Sequence, residues 1–159
     1  MPVSCLSRID VDETKLDGEL TIGGLYLHTP AFAVADVTMF WLPPAYRGQD
    51  LLVPGIDGLT PLPRRRDLTT RSVPMVLDGR VDWDGNPYTN ERMGIRTNLM
   101  KIRTGTGEPN AVSATLTAPG GLGAVRNAVC RVINVTIGDR IGSLWAVMLD
   151  VEFPDGGFF

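Results

Sequence analysis

The chain has 159 residues, of which 43% are hydrophobic and 21% charged, with a formal net charge of −3. That length suits one domain that buries a core without disulfide or metal staples, and the composition is globular rather than disordered. A mildly acidic balance argues against a protein that wraps nucleic acid, which needs a basic surface.

Gly 18 and Pro 12 are high counts that suit many turns between short strands. Cys5 and Cys130 are far apart, and neither belongs to a C-x-x-C pair, so no zinc or redox motif is visible. Cys130 lies in an apolar run and reads as a small core residue. Met1 to Leu20 carries Asp10, Asp12, Glu13 and Asp17 without the apolar stretch of a signal peptide. No stretch approaches the ~20 apolar residues of a membrane span, so the expectation is a protein made in a cytoplasm, without membrane insertion.

Residues 1–19 are polar and acidic and read as an N-terminal arm. Leu20, Ile22, Leu25 and Leu27 predict a first strand, bent or bulged at Gly23-Gly24. Phe32 to Phe40 reads as a second strand, with Val34 and Asp36 on one face and Ala35, Val37 and Met39 on the other. A long irregular stretch follows, from Trp41 to about Thr69. Its prolines (Pro43, Pro44, Pro54, Pro61 and Pro63) exclude a central strand. Yet Leu51, Leu52, Val53, Ile56 and Leu59 are apolar. Such a loop is ordered by a partner or folds over its own core.

Ser72 to Leu77 resumes strand alternation, and Pro74 points to an edge position. Asp78-Gly79 and Asp84-Gly85 are turn dipeptides. A helix is predicted over 87–103, capped by Asn86 and opened by Pro87, with Tyr88, Ile95, Leu99 and Ile102 on one stripe and Gly94 as a weak point. Gly-Thr-Gly at 105–107 reads as the loop after it. Val112, Ala114 and Leu116 alternate with polar residues as a half-buried strand. Pro119-Gly120-Gly121 turns the chain. Ala128–Ile137 and Leu144–Phe153 then form a hairpin with a loop of several residues around Gly138-Asp139 and Ile141-Gly142. Trp145, Val147, Leu149, Val151 and Phe153 share one of its faces. The fold class is mainly β: an antiparallel sandwich or split barrel with one flanking helix and a long Pro/Gly-rich loop.

Chemistry is sparse. His28 is the single histidine, with no neighbouring nucleophile or second ligand. Asp57 and Asp67 form no recognisable acid pair. No nucleophile elbow, P-loop, dinucleotide fingerprint or H-E-x-x-H pattern occurs. No cofactor, metal or catalytic residue is expected. Arg64-Arg65-Arg66 has three readings: DNA phosphate contacts, pairing with carboxylates of a neighbouring subunit, or a solvated loop edge.

The run Leu52-Val53-Pro54-Gly55-Ile56-Asp57-Gly58, followed by Arg64-Arg65-Arg66-Asp67, resembles a Pro-Gly-x-Asp-Gly loop with a basic start to the next strand. After it come a strand from Val73 to Gly79, a helix carrying Asn98-Leu99, two closing strands and a terminal Phe153-Pro154-Asp155-Gly156. Over roughly residues 20 to 156 this order resembles minor tail proteins of long-tailed actinobacterial phages. It is especially similar to the first domain of distal tail proteins.

The resemblance implies a tail-tube-like domain over 1–159 that forms a hexameric ring in the virion. Sheets of adjacent copies join there into a barrel around the DNA channel. The implied partners are itself and other tail proteins (tube, tape measure, tip or baseplate), with DNA only in passing. A tail-tube or tail-terminator subunit fits the same pattern. Many such proteins carry a second, carbohydrate-binding-like domain, for which 159 residues leave no room. The expected subunit-interface loop comprises Leu51, Leu52, Val53, Pro54, Gly55, Ile56, Asp57, Gly58, Arg64, Arg65 and Arg66. Two other classes compete. One is a carbohydrate-binding β-module stacking sugars on Trp41, Trp83, Trp145, Tyr46 and Tyr88. The other is a small hydrolase built on His28.

Overall fold

The computed structural model describes residues 8–41, 68–118 and 125–158, together with the backbone of the strand segments 46–47, 51–52, 59–60 and 65–66. In chain order the elements are α1 (Val11–Thr14), β1 (Glu19–Ile22), β2 (Leu25–Tyr26), β3 (Phe32–Val34), a 3-10 turn (Thr38–Trp41), β4 (Tyr46–Arg47), β5 (Leu51–Leu52), β6 (Leu59–Thr60), β7 (Arg65–Arg66), β8 (Thr69–Leu77), α2 (Glu91–Gly105), β9 (Ala111–Thr117), β10 (Val125–Ile141) and β11 (Leu144–Phe153). The fold is mainly β with one main helix, as expected. Seven strands form one antiparallel sheet in the order β2-β1-β9-β10-β11-β8-β3.

The sheet curls until its ends meet. The Leu27 N–H donates to Leu20 O of β1 at 3.1 Å, and the Val34 N–H of β3 donates to Leu27 O at 3.0 Å. One residue thus stitches both ends of the sheet, the arrangement of a barrel closed along part of its length. The interior holds alternate residues of the strands: Leu20 and Ile22, Val73, Met75 and Leu77, Ala114 and Leu116, and Val147, Leu149, Val151 and Phe153. Phe40 meets Phe153 and Phe158 edge-on at 5.6 and 5.3 Å between ring centroids, and Phe153 and Phe158 are tilted against each other at 5.3 Å. Each such buried ring contributes about 1.5–3 kcal/mol through its area.

Several sequence expectations need correction. The predicted strand over 32–40 stops at Val34. The Asp36 carboxylate accepts from Thr38 N at 2.8 Å and from its hydroxyl at 2.6 Å, and that local turn starts the 3-10 segment instead. The helix begins at Glu91, not Pro87, with Asn90 as its cap. Asn86 is diverted: its N–H donates to Asp82 Oδ1 at 2.8 Å, and Val81 bridges Pro87. The closing hairpin turns on two residues, Gly142-Ser143, and Gly138-Asp139 lies within β10 as a register irregularity.

Pro74 does not place β8 at the rim, since β8 runs between β11 and β3. Its carbonyl accepts from Ala35 N at 2.9 Å, just past the end of β3, so the donor that proline lacks faces a side where the ladder is ending. Gly23 and Gly24, with φ of 60° and 84°, form the tight β1–β2 turn, matching the expected bend. The segment from Arg8 to Asp17 is docked rather than loose. Ile9 and Val11 pack with Ala33, Leu144 and Val76, and the Trp41 indole N–H donates to Asp17 O at 2.8 Å.

Candidate subunit interface

The loop expected to carry the interface is only partly described. Leu51 and Leu52 pair antiparallel with Thr60 and Leu59, while Arg65 and Arg66 pair with Arg47 and Tyr46. The apolar and basic parts of the expected interface therefore belong to two separate ladders. Val53, Pro54, Gly55, Ile56, Asp57, Gly58 and Arg64 lie outside the described residues, as do Asp67 and the Pro119-Gly120-Gly121 turn.

A different feature emerges from the strand lengths. β10 is 17 residues long. Its first part, Val125 to Arg131, pairs with β9, and from Arg131 to Ile141 it pairs with β11. Beyond Arg131 no strand among the described residues continues on the β9 side. One acceptor there, Val135 O, takes a hydrogen bond from Arg103 Nη2 at 3.1 Å.

β8 has the complementary shortfall. β11 covers its full length, but β3 pairs only with Met75, Val76 and Leu77. Asp78 N donates to Ala31 O at 2.7 Å, and Pro74 O accepts from Ala35, so the even-numbered residues turn their backbone groups toward β3. By the same alternation Ser72 and Thr70 aim N–H and C=O at a side that carries no described strand. Asn134 and Ser72 both register opposite Asp150. At that level no strand among the described residues pairs with either margin of the three-stranded unit β10–β11–β8.

β10 also carries exposed apolar side chains. Val125, Val129, Ile133, Ile137 and Ile141 are 40–52% exposed, but the register shifts at Val132/Asn134 and Ile137/Arg140 divide them between the two faces: Val129 registers opposite Ser113, and Ile137 opposite the buried Val147. Met148 of β11, with Ile137 and Ile141, lines an apolar hollow of about 280 Å³ that Ala35, Pro74 and Ala146 also line.

The groups singled out for other chemistry have partners within the fold. His28 is 2% exposed. Its Nε2 accepts from the Leu20 N–H at 3.0 Å. That leaves Nδ1 to carry the proton and donate to Thr14 Oγ1 at 3.2 Å, while the Thr14 hydroxyl donates to Val11 O at 2.8 Å. Burial lowers the imidazole to about 4, so it is neutral at pH 7 and ties α1 to the barrel seam. The buried Cys130 thiol is pushed up to about 11 by desolvation.

The ring faces also have occupants. Lys101 Nζ lies 4.7 Å from the Trp83 ring centroid, the Arg126 guanidinium 4.7 Å from Trp41 and that of Arg140 5.8 Å from Trp145. Tyr88 donates its hydroxyl to Asn98 Oδ1 at 3.2 Å. Among the described residues no group of three or more His, Cys, Asp or Glu is placed to hold a metal, and no helix is long and apolar enough to cross a membrane.

A curled antiparallel sheet with one flanking helix, and with strand margins that no described strand covers, is a fold suited to edge-to-edge assembly. No protein-family model and no curated protein matches the chain. Among solved structures its fold matches the Dit protein (gp 19.1) of phage SPP1, described as a paradigm of the hub adsorption apparatus in phages that infect Gram-positive bacteria. The match has a TM-score of 0.57 at 17% sequence identity and covers 87% of this chain and 50% of that one. The chain thus spans half the length of the tail hub protein whose fold it shares.

Proposed function

We propose that this chain is a structural subunit of a phage tail, of the distal-tail hub type, which closes into a ring with copies of itself. The observation that carries this reading is the pair of margins that no described strand covers on one three-stranded unit, β10 beyond Arg131 and β8 around Thr70 and Ser72. A margin of unpaired N–H and C=O groups invites strand pairing. Two different margins on opposite sides make the contact heterologous, so each copy offers β8 to the β10 of the next. A rotation that closes gives a ring whose sheets are continuous from copy to copy. Ile133, Ile137 and Ile141, all exposed, lie on the part of β10 that such pairing would engage.

The reading supplies the partners as well: tube, tape-measure and tip or baseplate proteins above and below the ring, and DNA passing through it. No catalytic step is required of any residue. The 43–66 segment, with its apolar and arginine-rich stretches, is proposed as a second contact between subunits.

Electron microscopy of the purified chain, alone and co-expressed with its neighbouring tail proteins, tests the proposal. Rings with a central channel are expected, with antibody-bound gold at the tail tip of intact virions. Gold distributed along the tube would move the subunit there. Virions that carry none of this chain would overturn the reading.

A further inference from the structure

The three most exposed large apolar side chains among the described residues do not lie on β10. They are Leu16, at 71%, and Met93 and Met100, at 62% and 54%. Each lies within charged residues of one sign. Leu16 follows α1 beside the exposed Asp12, Glu13 and Asp17, none of which forms an ion pair with a described residue. Lys15 is the local exception, and it is turned to Glu19 at 3.7 Å and to the Tyr26 ring.

Met93 and Met100 stand on α2, one face of which buries Gly94, Asn98 and Ile102. The opposite face shows Arg92, Met93, Arg96 and Met100, at the helical spacing that makes them neighbours. Arg92 and Arg96 likewise have no ion pair with a described residue. On a chain of net charge −3, α2 carries Arg92, Arg96, Lys101 and Arg103 against the lone carboxylate of Glu91.

We infer that the Leu16 ridge of one copy seats on the Met93–Met100 face of α2 of another, with Glu13 and Asp17 meeting Arg92 and Arg96. Thioethers suit such a seat because methionine adapts its shape to an incoming side chain. Complementary charges at the rim fix orientation and speed encounter. The two patches differ, so this contact too is heterologous, and it adds a side-chain lock to subunits that the strand margins align. It rests on the reading of the chain as a self-assembling subunit. Nucleic acid is a poorer occupant of the α2 face, because a phosphate backbone gains nothing from two exposed methionines.

The test is a charge-reversal cycle on the full chain, read by sedimentation velocity over a concentration series at low salt. Arg92→Glu with Arg96→Glu, and separately Glu13→Arg with Asp17→Arg, should each weaken self-association by about tenfold or more. The four together should restore it to within about threefold. Leu16→Ser, at a site too exposed to affect folding, should weaken it without any charge change. Thermal melts of each variant should match the parent.

Association that ignores both reversals overturns this contact and leaves the ring reading standing. Association weakened by the arginine reversals but not rescued by the acidic ones assigns the α2 face to a different surface of the neighbouring copy, which overturns the pairing. A parent chain that is monomeric throughout the series overturns the copy-to-copy contact, whereas the ring reading is decided by particles and virions.

Discussion

Gly94 of α2 and Gly79 of the turn after β8 meet backbone to backbone. A methyl group on Gly94 would collide with the Gly79 carbonyl oxygen and lie 2.6 Å from Cδ2 of Tyr88. One on Gly79 would collide with Ile95 and lie 2.9 Å from the Glu91 carbonyl oxygen. In an isolated helix Gly94→Ala would gain about 1 kcal/mol in propensity. Here the clash decides the sign, and Gly94→Ala should lower the unfolding free energy by about 2–3 kcal/mol. Urea denaturation measures it, and a stabilised variant would show that the helix and the turn do not touch.

The same junction depends on Asn98, which is fully buried. Its Nδ2 donates to Asp78 O at 2.8 Å and Val81 O at 3.0 Å, while its Oδ1 accepts from Tyr88. Asn98→Leu would strand two carbonyls and a hydroxyl and should cost about 3 kcal/mol or more, whereas Tyr88→Phe, which strands one acceptor, should cost about 1 kcal/mol. Comparing the two denaturation midpoints checks the order. Equal effects would mean that the asparagine does not organise the turn.

Much of this was legible where one face of an element is buried. β8, β9 and β11 alternate in the sequence because each shows one face to the interior, and their inward residues are those the alternation picks out. Phe32, Ala33 and Val34 are all buried, so β3 carries no alternation to mark its end, and Phe40 joins an aromatic cluster from outside any strand. Asn86-Pro87 has the local chemistry of a helix start, but the Asp82 carboxylate competes for the Asn86 N–H. Gly94 looked like a defect of the helix because the reason for it lies on another segment. The margins that no described strand covers were invisible for a deeper reason. Whether a strand is paired depends on where its neighbours stop, and no residue of β10 records that β9 pairs no further than Arg131.

His28 makes stability depend on acidity. Its folded value is about 4, against 6.5 for the free side chain, so between those values the unfolded chain binds the extra proton. The tie of α1 to the seam is therefore fully effective above about pH 6.5 and is lost as pH falls toward 4, at a total cost of about 3 kcal/mol. Protonation would set an N–H of the ring against the Leu20 N–H that it now accepts. Glu19 opposes the shift and Lys15 adds to it, both less than burial does. His28→Gln should be less stable than the parent at pH 7, and the difference should shrink as pH falls. A constant difference from pH 7 to 4.5 would remove the histidine from the acid response.

Ser72 offers the sharpest separation of folding from assembly. Its backbone N–H points to the same side of β8 as that of position 74, where a proline is already accommodated. Ser72→Pro therefore removes no hydrogen bond to β11 and leaves the preceding residue in the extended region it already occupies. It does delete the donor that an incoming β10 needs, and it places a ring in the way. The variant also loses the Ser72 Oγ to Asp150 bond at 2.8 Å, so Ser72→Ala is its control. Both should fold, within about 1 kcal/mol of the parent. Ser72→Ala should build rings and Ser72→Pro should not, as counted on electron micrographs. Proline-bearing subunits that close normal rings would place the subunit contact away from this margin.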